Sequence, residues 1–274
     1  MLLNQMSSDR LDPPGGGGEG GPAAAVPAER TPIVLDALKL VEELRSVGAE
    51  TRMMGGIAIA VRCPSVADPA LRRPHDDVDL VATKSGARKL EQHIVRLGYH
   101  GEDEFNALQG SRRLIFHSPE RPAAKVDVFI ERVDMCHTFL LGDRLDVDPL
   151  TLSLADLLVL KLQIVELNEK DAQDVAALLL DHPITDDESG INARYLGELA
   201  AEDWGIWKTL NLSIDKLVDD AGRLVDGARR ERIAAQLARL RAALEQAPKT
   251  RRWKLRAKIG ERKRWYELPE EVDR

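Results

Sequence analysis

The spacing of apolar residues predicts short strands in the middle of the chain and helices around them. A stripe of apolar residues at helical spacing follows the Thr31-Pro32 pair, and proline favours the first position of a helix. We therefore expect the folded part to begin there with a helix. Short apolar or alternating segments then predict strands at residues 51–54, 77–82, 114–117 and 125–130.

Longer amphipathic or apolar segments predict the helices. One covers residues 85–97 and is closed by Gly98, the residue type that commonly ends a helix. Two more are expected at 153–167 and 171–180, and the segment 191–245 has only helical character. This order predicts an α/β (α+β) fold, in which a small mixed sheet is flanked by helices and followed by a C-terminal helical domain.

Both ends of the chain differ in composition from its middle. Residues 1–30 contain a glycine run and clusters of proline and alanine that cannot build a core, so we interpret them as a disordered leader. We divide the remainder into a first folded domain at 31–183, a helical domain at 184–248 and a basic tail at 249–274.

Composition and charge narrow the class of protein. Of the 274 residues, 43% are hydrophobic but only 4% are aromatic, which favours helices on a small sheet over an all-β sandwich. The net charge of −7 argues against the whole molecule being a nucleic-acid binder. Cys63 and Cys136 fit neither a disulfide framework nor a zinc site. No segment predicts a signal peptide or a membrane span, so we expect a cytoplasmic protein without a membrane partner.

Asp77 and Asp79 lie two residues apart in a predicted strand. Alternate residues of a strand point to the same face, so both carboxylates project together while Val78 and Leu80 point into the core. Like charges at this spacing repel each other. Mg²⁺, which prefers carboxylate and phosphate oxygens, would resolve the repulsion.

Asp127 lies in the middle of the strand predicted at 125–130. A neighbouring strand would bring it beside Asp77 and Asp79, where the carboxylates together can hold a metal ion and supply a base for an attacking hydroxyl. The alternative is that each aspartate is an exposed strand residue or a turn former. For Asp127 alone both interpretations stay open.

Gly55 and Gly56 follow the first predicted strand and precede an apolar segment that can start a helix. Glycine lets the backbone approach phosphates closely, and a helix N-terminus attracts anions. The pair is therefore a candidate phosphate-binding turn, although on its own it is explained as well by a simple turn.

Together these segments resemble the polymerase-β-like nucleotidyltransferase superfamily. Its pattern is an apolar residue with Gly-Gly or Gly-Ser, then Asp-x-Asp, then an aspartate on a later strand. This chain has those features in the same order, as Met54-Gly55-Gly56, Asp77-Val78-Asp79 and Val126-Asp127-Val128. Within the superfamily the similarity is greatest to AbiEii-type and MenA-type toxins of abortive-infection and toxin–antitoxin systems. The resemblance covers about residues 50–181.

Two features depart from the superfamily pattern, and one residue extends it. The gap between Gly56 and Asp77 is longer than usual, which indicates an inserted loop at about residues 64–69. His75 stands where Ser or Thr is often found, so a phosphate contact at that position is in doubt. Arg73, four residues before the first aspartate, fits a common form of the motif, and we assign it to nucleotide binding with the glycine pair.

The resemblance also implies two residues on later helices. Lys161 would be an active-site lysine that contacts phosphate or positions Asp127, and Asp174 would be an active-site carboxylate. From the residues alone, Lys161 has apolar neighbours on its helix, so it either finds carboxylates or phosphates or snorkels at the edge of the core. Asp171 and Asp174 are equally suited to capping a helix.

The sequence therefore predicts an enzyme, a Mg²⁺-dependent nucleotidyltransferase that transfers a nucleoside monophosphate from a nucleoside triphosphate to an acceptor hydroxyl. The toxin-like resemblance implies RNA or tRNA as acceptor and an antitoxin protein as partner. One alternative is an aminoglycoside-type enzyme. Such an enzyme needs an acidic pocket for the drug, and the acidic residues 186–188 are a weak candidate for it. Another is a degenerate, non-catalytic nucleotide-binding module with a regulatory role.

The basic tail has two interpretations. Its segment 249–266 interleaves lysines and arginines with Trp253, Trp265 and Tyr266, a composition that can bind phosphates and stack on exposed bases of RNA. It can equally pack on the acidic body of the same molecule, with the tryptophan rings covering the helical domain.

Overall fold

The computed structural model describes residues 31–120 and 124–268. Its helices are α1 Pro32–Ser46, α2 Gly55–Arg62, α3 Lys84–Ile94, α4 Asp103–Gln109, α5 Leu154–Leu162, α6 Glu169–Asp181, α7 Ala193–Glu202, α8 Trp204–Leu224, α9 Gly227–Gln246 and α10 Arg251–Ile259. Its strands are β1 Thr51–Met54, β2 Asp77–Ala82, β3 His100–Gly101, β4 Arg113–His117, β5 Lys125–Ile130, β6 Arg132–Asp134, β7 Thr138–Leu140, β8 Ile184–Thr185 and β9 Ile191–Asn192. The leader expected at 1–30 lies outside the described residues.

A five-stranded mixed sheet forms the centre of the first half of the chain, in the order β1-β2-β5-β4-β3. Strands β2 and β5 are parallel, and the other neighbours are antiparallel. The predicted fold class, a small mixed sheet flanked by helices, is confirmed. The register places Asp79 beside Met54 on one side and beside Asp127 on the other.

The residue pattern of β2 explains why two carboxylates lie together on one face of the sheet. Val78 and Leu80 are buried in the core, whereas Asp77 and Asp79 are only partly buried. Burying an apolar side chain of this size contributes about 1.5–3 kcal/mol, so the apolar set decides which face of the strand turns inward. The two carboxylates are thereby left together on the opposite face.

The hydrophobic core continues from the sheet into the C-terminal helices. Residues from α1 to α3 and from α5 to α9 belong to one buried cluster, and α6 packs against both α8 and α9. The interpretation that divides the chain at residues 183 and 184 therefore separates segments that share a core. That division stays an interpretation based on composition.

The strands are found closer to their predicted bounds than the helices. Strands at 51–54, 77–82 and 125–130 are confirmed at those residues. The helix predicted at 153–167 was too long, because α5 ends at Leu162 and Gln163 caps it. Ser153 caps the start of this helix, since its hydroxyl accepts a hydrogen bond from the Asp156 amide at 3.1 Å.

Several short elements were missed from the sequence, namely β3, α4, the β6–β7 hairpin and the β8–β9 pair. Each has too few residues to show a period. The loop expected at about 64–69 contains a short 3-10 helix, Pro64–Ala67. None of the helices in the described part of the chain combines the length and the apolar character needed to cross a membrane.

Candidate functional site

The carboxylates of β2 form the centre of the candidate site. Asp77 and Asp79 both line a cleft of about 480 Å³, together with residues from α2, from the loop before β2, and from α5 and the start of α6. In the described part of the chain, neither carboxylate forms an ion pair or a hydrogen bond. The buried aspartates nearby, Asp127, Asp171 and Asp174, are paired with basic side chains, whereas these two strand carboxylates are not.

Asp79 is electrostatically the most strained of the group. Burial raises its pKa from 3.8 to about 6, and repulsion from Asp127 and Asp77 adds to the rise. Lys161 and Lys125 act in the opposite direction but do not outweigh these effects. A carboxyl group with these neighbours is stabilised by any cation that enters the cleft.

Gly55 and Gly56 meet β2 at the N-terminus of α2, where an added side chain would have close neighbours. Gly55 has φ +65°, and a Cβ added there would lie 2.3 Å from Oδ2 of Asp79. A Cβ at Gly56 would lie 1.7 Å from Nη2 of Arg73. The pair is thus a close-approach turn at the start of a helix, and that start is where backbone N–H groups favour an anion.

Asp127 is the least accessible of the predicted ligands, with 1% of its surface exposed. Arg113 on β4 donates two hydrogen bonds to it, one from Nε to Oδ1 at 2.6 Å and one from Nη2 to Oδ2. The Lys125 ammonium lies 3.3 Å from the same Oδ2. The Arg113 guanidinium also lies over the rings of Phe129 and Phe105, 4.9 and 5.8 Å from their centroids.

Lys161 joins a different group from the one expected. Its ammonium lies 2.9 Å from Oδ1 of Asp171 and 2.9 Å from Oδ2 of Asp174. Of the two expected contacts of Lys161, the one with Asp127 is not found, because the packing of α5 on α6 places two other carboxylates against the ammonium. The contact with a phosphate stays a prediction. Burial alone would lower the pKa of Lys161, but Asp174 and Asp171 outweigh it and raise the pKa.

Arg73 completes this network. It donates from Nε to Oδ1 of Asp174 at 2.9 Å and from Nη2 to Oδ2 at 2.7 Å. Burial would raise the pKa of Asp174, yet Lys161 and Arg73 together lower it. Asp174 is therefore a paired, ionised anchor. The helix-capping role predicted for Asp171 is found, since it forms a capping box with Asn168 at the start of α6, and it also accepts a hydrogen bond from Lys161.

His75 also lines the cleft, beside Gly56 and Arg73. Its Nδ1 would be 3.0 Å from a Cβ at Gly56. Burial, followed by the Arg73 charge, lowers its pKa from 6.5 to about 4, so the imidazole is neutral at physiological pH. A neutral ring here can donate one hydrogen bond and accept another, and it adds no charge to the site.

The carboxylates fit a divalent cation in part. Across residues 31–120 and 124–268, no group of three or more histidine, cysteine, aspartate or glutamate side chains has an arrangement suited to a metal ion. Asp77 and Asp79 offer the hard oxygen donors that Mg²⁺ prefers, and both are unpaired. Asp127 lies next to Asp79 in register, but its oxygens are taken by Arg113 and Lys125.

The basic tail packs on the helical region through its aromatic rings. Trp253 meets Trp207 edge-on at 5.3 Å, and Trp265 meets Trp204 at 5.8 Å. Trp265 Nε1 also donates to the Thr209 hydroxyl at 3.1 Å. These contacts favour the packing interpretation for the rings. The basic side chains on α10 remain exposed, namely Arg251, Arg252, Lys254 and Lys258.

The residues of the alternative acidic pocket make local contacts. Asp187 accepts hydrogen bonds from the amide and the hydroxyl of Ser189, and Glu188 binds Arg144 and Asn192. These contacts stabilise the turn between β8 and β9. They give no support to a separate drug-binding pocket at 186–188.

The sequence did not point to two basic side chains at the site, Lys125 and Arg113. Lys125 is two residues before Asp127 on β5, so strand alternation alone places it on the same face. Arg113 gave no comparable signal, because its approach depends on the antiparallel register of β4 with β5.

No protein-family model matches this chain, and a comparison with curated proteins found no significant match. The resemblance to nucleotidyltransferases therefore stays a prediction. It depends on the motifs and on the geometry of the cleft.

Proposed function

We propose that this chain is a Mg²⁺-dependent nucleotidyltransferase, which transfers a nucleoside monophosphate from a nucleoside triphosphate to an acceptor hydroxyl. The observation that carries the proposal is the unneutralised pair Asp77 and Asp79, facing a cleft beside a Gly-Gly helix start. A structural strand gains nothing from two unpaired carboxylates side by side. A cation and a phosphate chain would satisfy both the carboxylates and the helix N-terminus.

The residues of the cleft divide into those that hold charge and those that shape the site. Asp77 and Asp79 would hold the cation, which when bound supplies charge neutralisation for the phosphates. The backbone of Gly55 and Gly56 would let the phosphate chain approach closely. Lys161 and Arg73, fixed by Asp171 and Asp174, supply positive charge at its rim.

The reaction itself is an in-line displacement at the α-phosphate. A bond forms between the acceptor oxygen and the α-phosphorus, the bond to the bridging oxygen breaks, and pyrophosphate leaves. The hydroxyl proton needs a carboxylate acceptor. Asp127 can take that role only after its ion pair with Arg113 opens, because both of its oxygens accept from the guanidinium.

Transfer of label from triphosphates tests the proposal. The protein is incubated with Mg²⁺, total RNA and each nucleoside triphosphate labelled at the α- or the γ-phosphate. We expect α-label, but no γ-label, to appear in RNA, and Asp79→Asn to abolish it. Asp76→Asn is the matched control, since Asp76 is an exposed aspartate in the same segment. If the protein neither binds any triphosphate nor transfers label from one, the proposal is overturned.

One observation favours the alternative of a non-catalytic nucleotide-binding module. The third carboxylate is closed off by Arg113, and no complete metal-binding group is found in the described residues. In that case triphosphates should bind, with Mg²⁺ or without it, but no label should reach RNA or an aminoglycoside. An antitoxin partner is expected only for the toxin-like enzyme, and copurification from the native host tests for one.

A further inference from the structure

A second cleft, of about 920 Å³, lies beside α10. Its walls come from the β6–β7 hairpin, the start of α8, α10 and residues 263–267. None of the residues that line it also lines the cleft of Asp77 and Asp79. The second cleft is therefore separate from the site proposed for nucleotidyl transfer.

Two aliphatic side chains of α10 line this cleft and remain in water. The exposed fraction is 64% for Leu255 and 45% for Ile259, and the two are one helical turn apart on the same side of α10. A different side chain, Trp253, packs α10 against Trp207 of α8. Adjacent exposed aliphatic side chains in a cleft are typical of a surface that another molecule covers.

Basic side chains lie around the aliphatic pair. The segment 249–266 has nine basic residues and one acidic residue, Glu261, in a chain whose net charge is −7. Arg252, Lys263 and Arg264 of this segment are exposed and line the cleft. Within residues 31–120 and 124–268, none of these three pairs with a carboxylate. The cleft therefore has cations that are free to meet an anionic ligand.

The acidic residues of the cleft do not balance this charge. Asp203 accepts hydrogen bonds from the backbone amides of Gly205 and Ile206, at 2.6 and 3.2 Å, and thereby caps the start of α8. Glu202 and Glu267 remain, against the three cations of the cleft wall and the exposed basic residues of α10 beyond it. Positive charge therefore prevails around the cleft and favours an acidic ligand.

The aromatic rings and the shape of the cleft select the class of acidic ligand. Single-stranded nucleic acid binds by stacking its bases on free aromatic faces. Here the Arg256 guanidinium lies over the ring of Trp204, 4.7 Å from its centroid. The Arg264 guanidinium lies 4.8 Å from the ring centroid of Tyr266. A bilayer surface is too flat to enter a cleft, whereas a protein segment with carboxylates and apolar side chains at helical spacing meets both the cations and the aliphatic pair.

We propose that this cleft binds an acidic, apolar segment of a partner protein. The apolar side chains of that segment cover Leu255 and Ile259, and its carboxylates pair with Arg252, Lys263 and Arg264. The covered aliphatic pair contributes affinity, and the charge pairs give specificity and fast association. The proposal does not rest on the proposed function, because it needs neither a cation nor a triphosphate in the other cleft.

Selection from a library of random peptides displayed on phage tests the proposal. The probes are the enriched peptides, synthesised with a fluorescent label, and their affinity for the full chain is measured by anisotropy. We expect the enriched peptides to combine Asp or Glu with apolar residues three and four positions apart. Leu255→Ser with Ile259→Ser should weaken their binding about tenfold, equivalent to about 1.4 kcal/mol. Arg252→Gln with Lys263→Gln should weaken it too and flatten its dependence on salt.

Leu108→Ser is the matched control, because Leu108 is a 76% exposed aliphatic residue of α4 that does not line the cleft. It should bind the peptides as the wild type does. All the substituted residues are exposed, so circular dichroism should show similar thermal unfolding in every variant.

The chain also carries a competing acidic segment, residues 269–274, which lies outside the described residues and includes Glu270, Glu271 and Asp273. Changing those three residues to their amides in the full chain should leave the peptide affinity unchanged. Tighter peptide binding after that change would make the chain's own end the occupant of the cleft and would overturn the proposal.

Other outcomes also overturn it. The proposal is wrong if the enriched peptides lack acidic residues, or if they bind the double variant of Leu255 and Ile259 as tightly as the wild type. It is equally wrong if no peptide is enriched, and binding of oligouridylate or of phosphatidylglycerol vesicles would then assign the basic face to nucleic acid or to lipid. Each of these outcomes leaves the label-transfer test of the proposed function unaffected.

Discussion

Asp79→Asn is expected to make the protein more stable at neutral pH, although it removes a residue central to the site. The pKa of Asp79 is raised by burial and by repulsion from Asp127 and Asp77, from 3.8 to about 6. The folded chain therefore binds this proton more tightly than the unfolded chain does. The stabilisation that comes from protonated Asp79 is fully present below about pH 4 and is lost as the pH rises through about 6.

The size of the effect follows from the same values. One pKa unit corresponds to about 1.4 kcal/mol. A rise from 3.8 to about 6 therefore lets ionisation of Asp79 lower the free energy of unfolding by about 3 kcal/mol at most. Asp79 is partly exposed on the cleft, so solvent and salt screen part of the repulsion. We expect Asp79→Asn to gain about 1–2 kcal/mol at pH 7.5 and almost nothing at pH 4.

Urea unfolding between pH 4 and pH 7.5, with chelator present, measures this difference. Asp76→Asn is the matched control, because it removes one exposed carboxylate next to the site and should change the free energy of unfolding little at either pH. Added Mg²⁺ should stabilise the wild type and narrow its gap to the Asn variant. A variant that is no more stable at pH 7.5, or one whose gain is equally large at pH 4, would refute the electrostatic reasoning.

Three further predictions concern the surroundings of the cleft. Gly56→Ala should destabilise the protein by roughly 1–3 kcal/mol and weaken triphosphate binding, because the new Cβ would displace Arg73, and urea unfolding with equilibrium dialysis measures both. Lys161→Met should lower the free energy of unfolding by about 3 kcal/mol in the same assay and lower nucleotidyl transfer, because the two carboxylates of α6 lose the ammonium that neutralises them. Full activity and stability would show that the pairing is dispensable. Deleting the tail from residue 249 would also remove packed tryptophans, so replacing the exposed basic residues of α10 with glutamine is the cleaner test. If RNA is the acceptor, that variant should bind RNA more weakly and with a flatter salt dependence while triphosphate binding is unchanged, and unaltered RNA affinity would leave the tail as structure.

The sheet could be predicted from the sequence because its signals are local. Alternation along β2 is enough to put Asp77 and Asp79 on one face, and it is confirmed by the partial exposure of both. The approach of Asp127 to Asp79 depends on which strands are neighbours, and only the resemblance suggested that order. The register of β2 with β5 confirms that the two residues are adjacent.

The partners of charged side chains could not be predicted in the same way. The apolar surroundings of Lys161 left open an anion partner or a snorkelling side chain, and the structure gives it two carboxylates. Their identity depends on how α5 crosses α6, which no pattern along the chain specifies. Arg113 is a similar case, because β4 brings it to Asp127 through pairing with β5 rather than through sequence spacing.

The parallel pairing of β2 with β5 has a consequence for how faithfully the site is assembled. Asp79 and Asp127 are adjacent in the same register that buries Val78 and Val126. A slip of one residue would move that apolar set to the face that now carries the aspartates, and the lost burial would cost up to about 1.5–3 kcal/mol for each side chain. A chain with a misaligned site is therefore also a misfolded chain, open to proteolysis. Mutation can erode the carboxylate cluster only by replacing the aspartates or their partners, and not by shifting the strands that carry them.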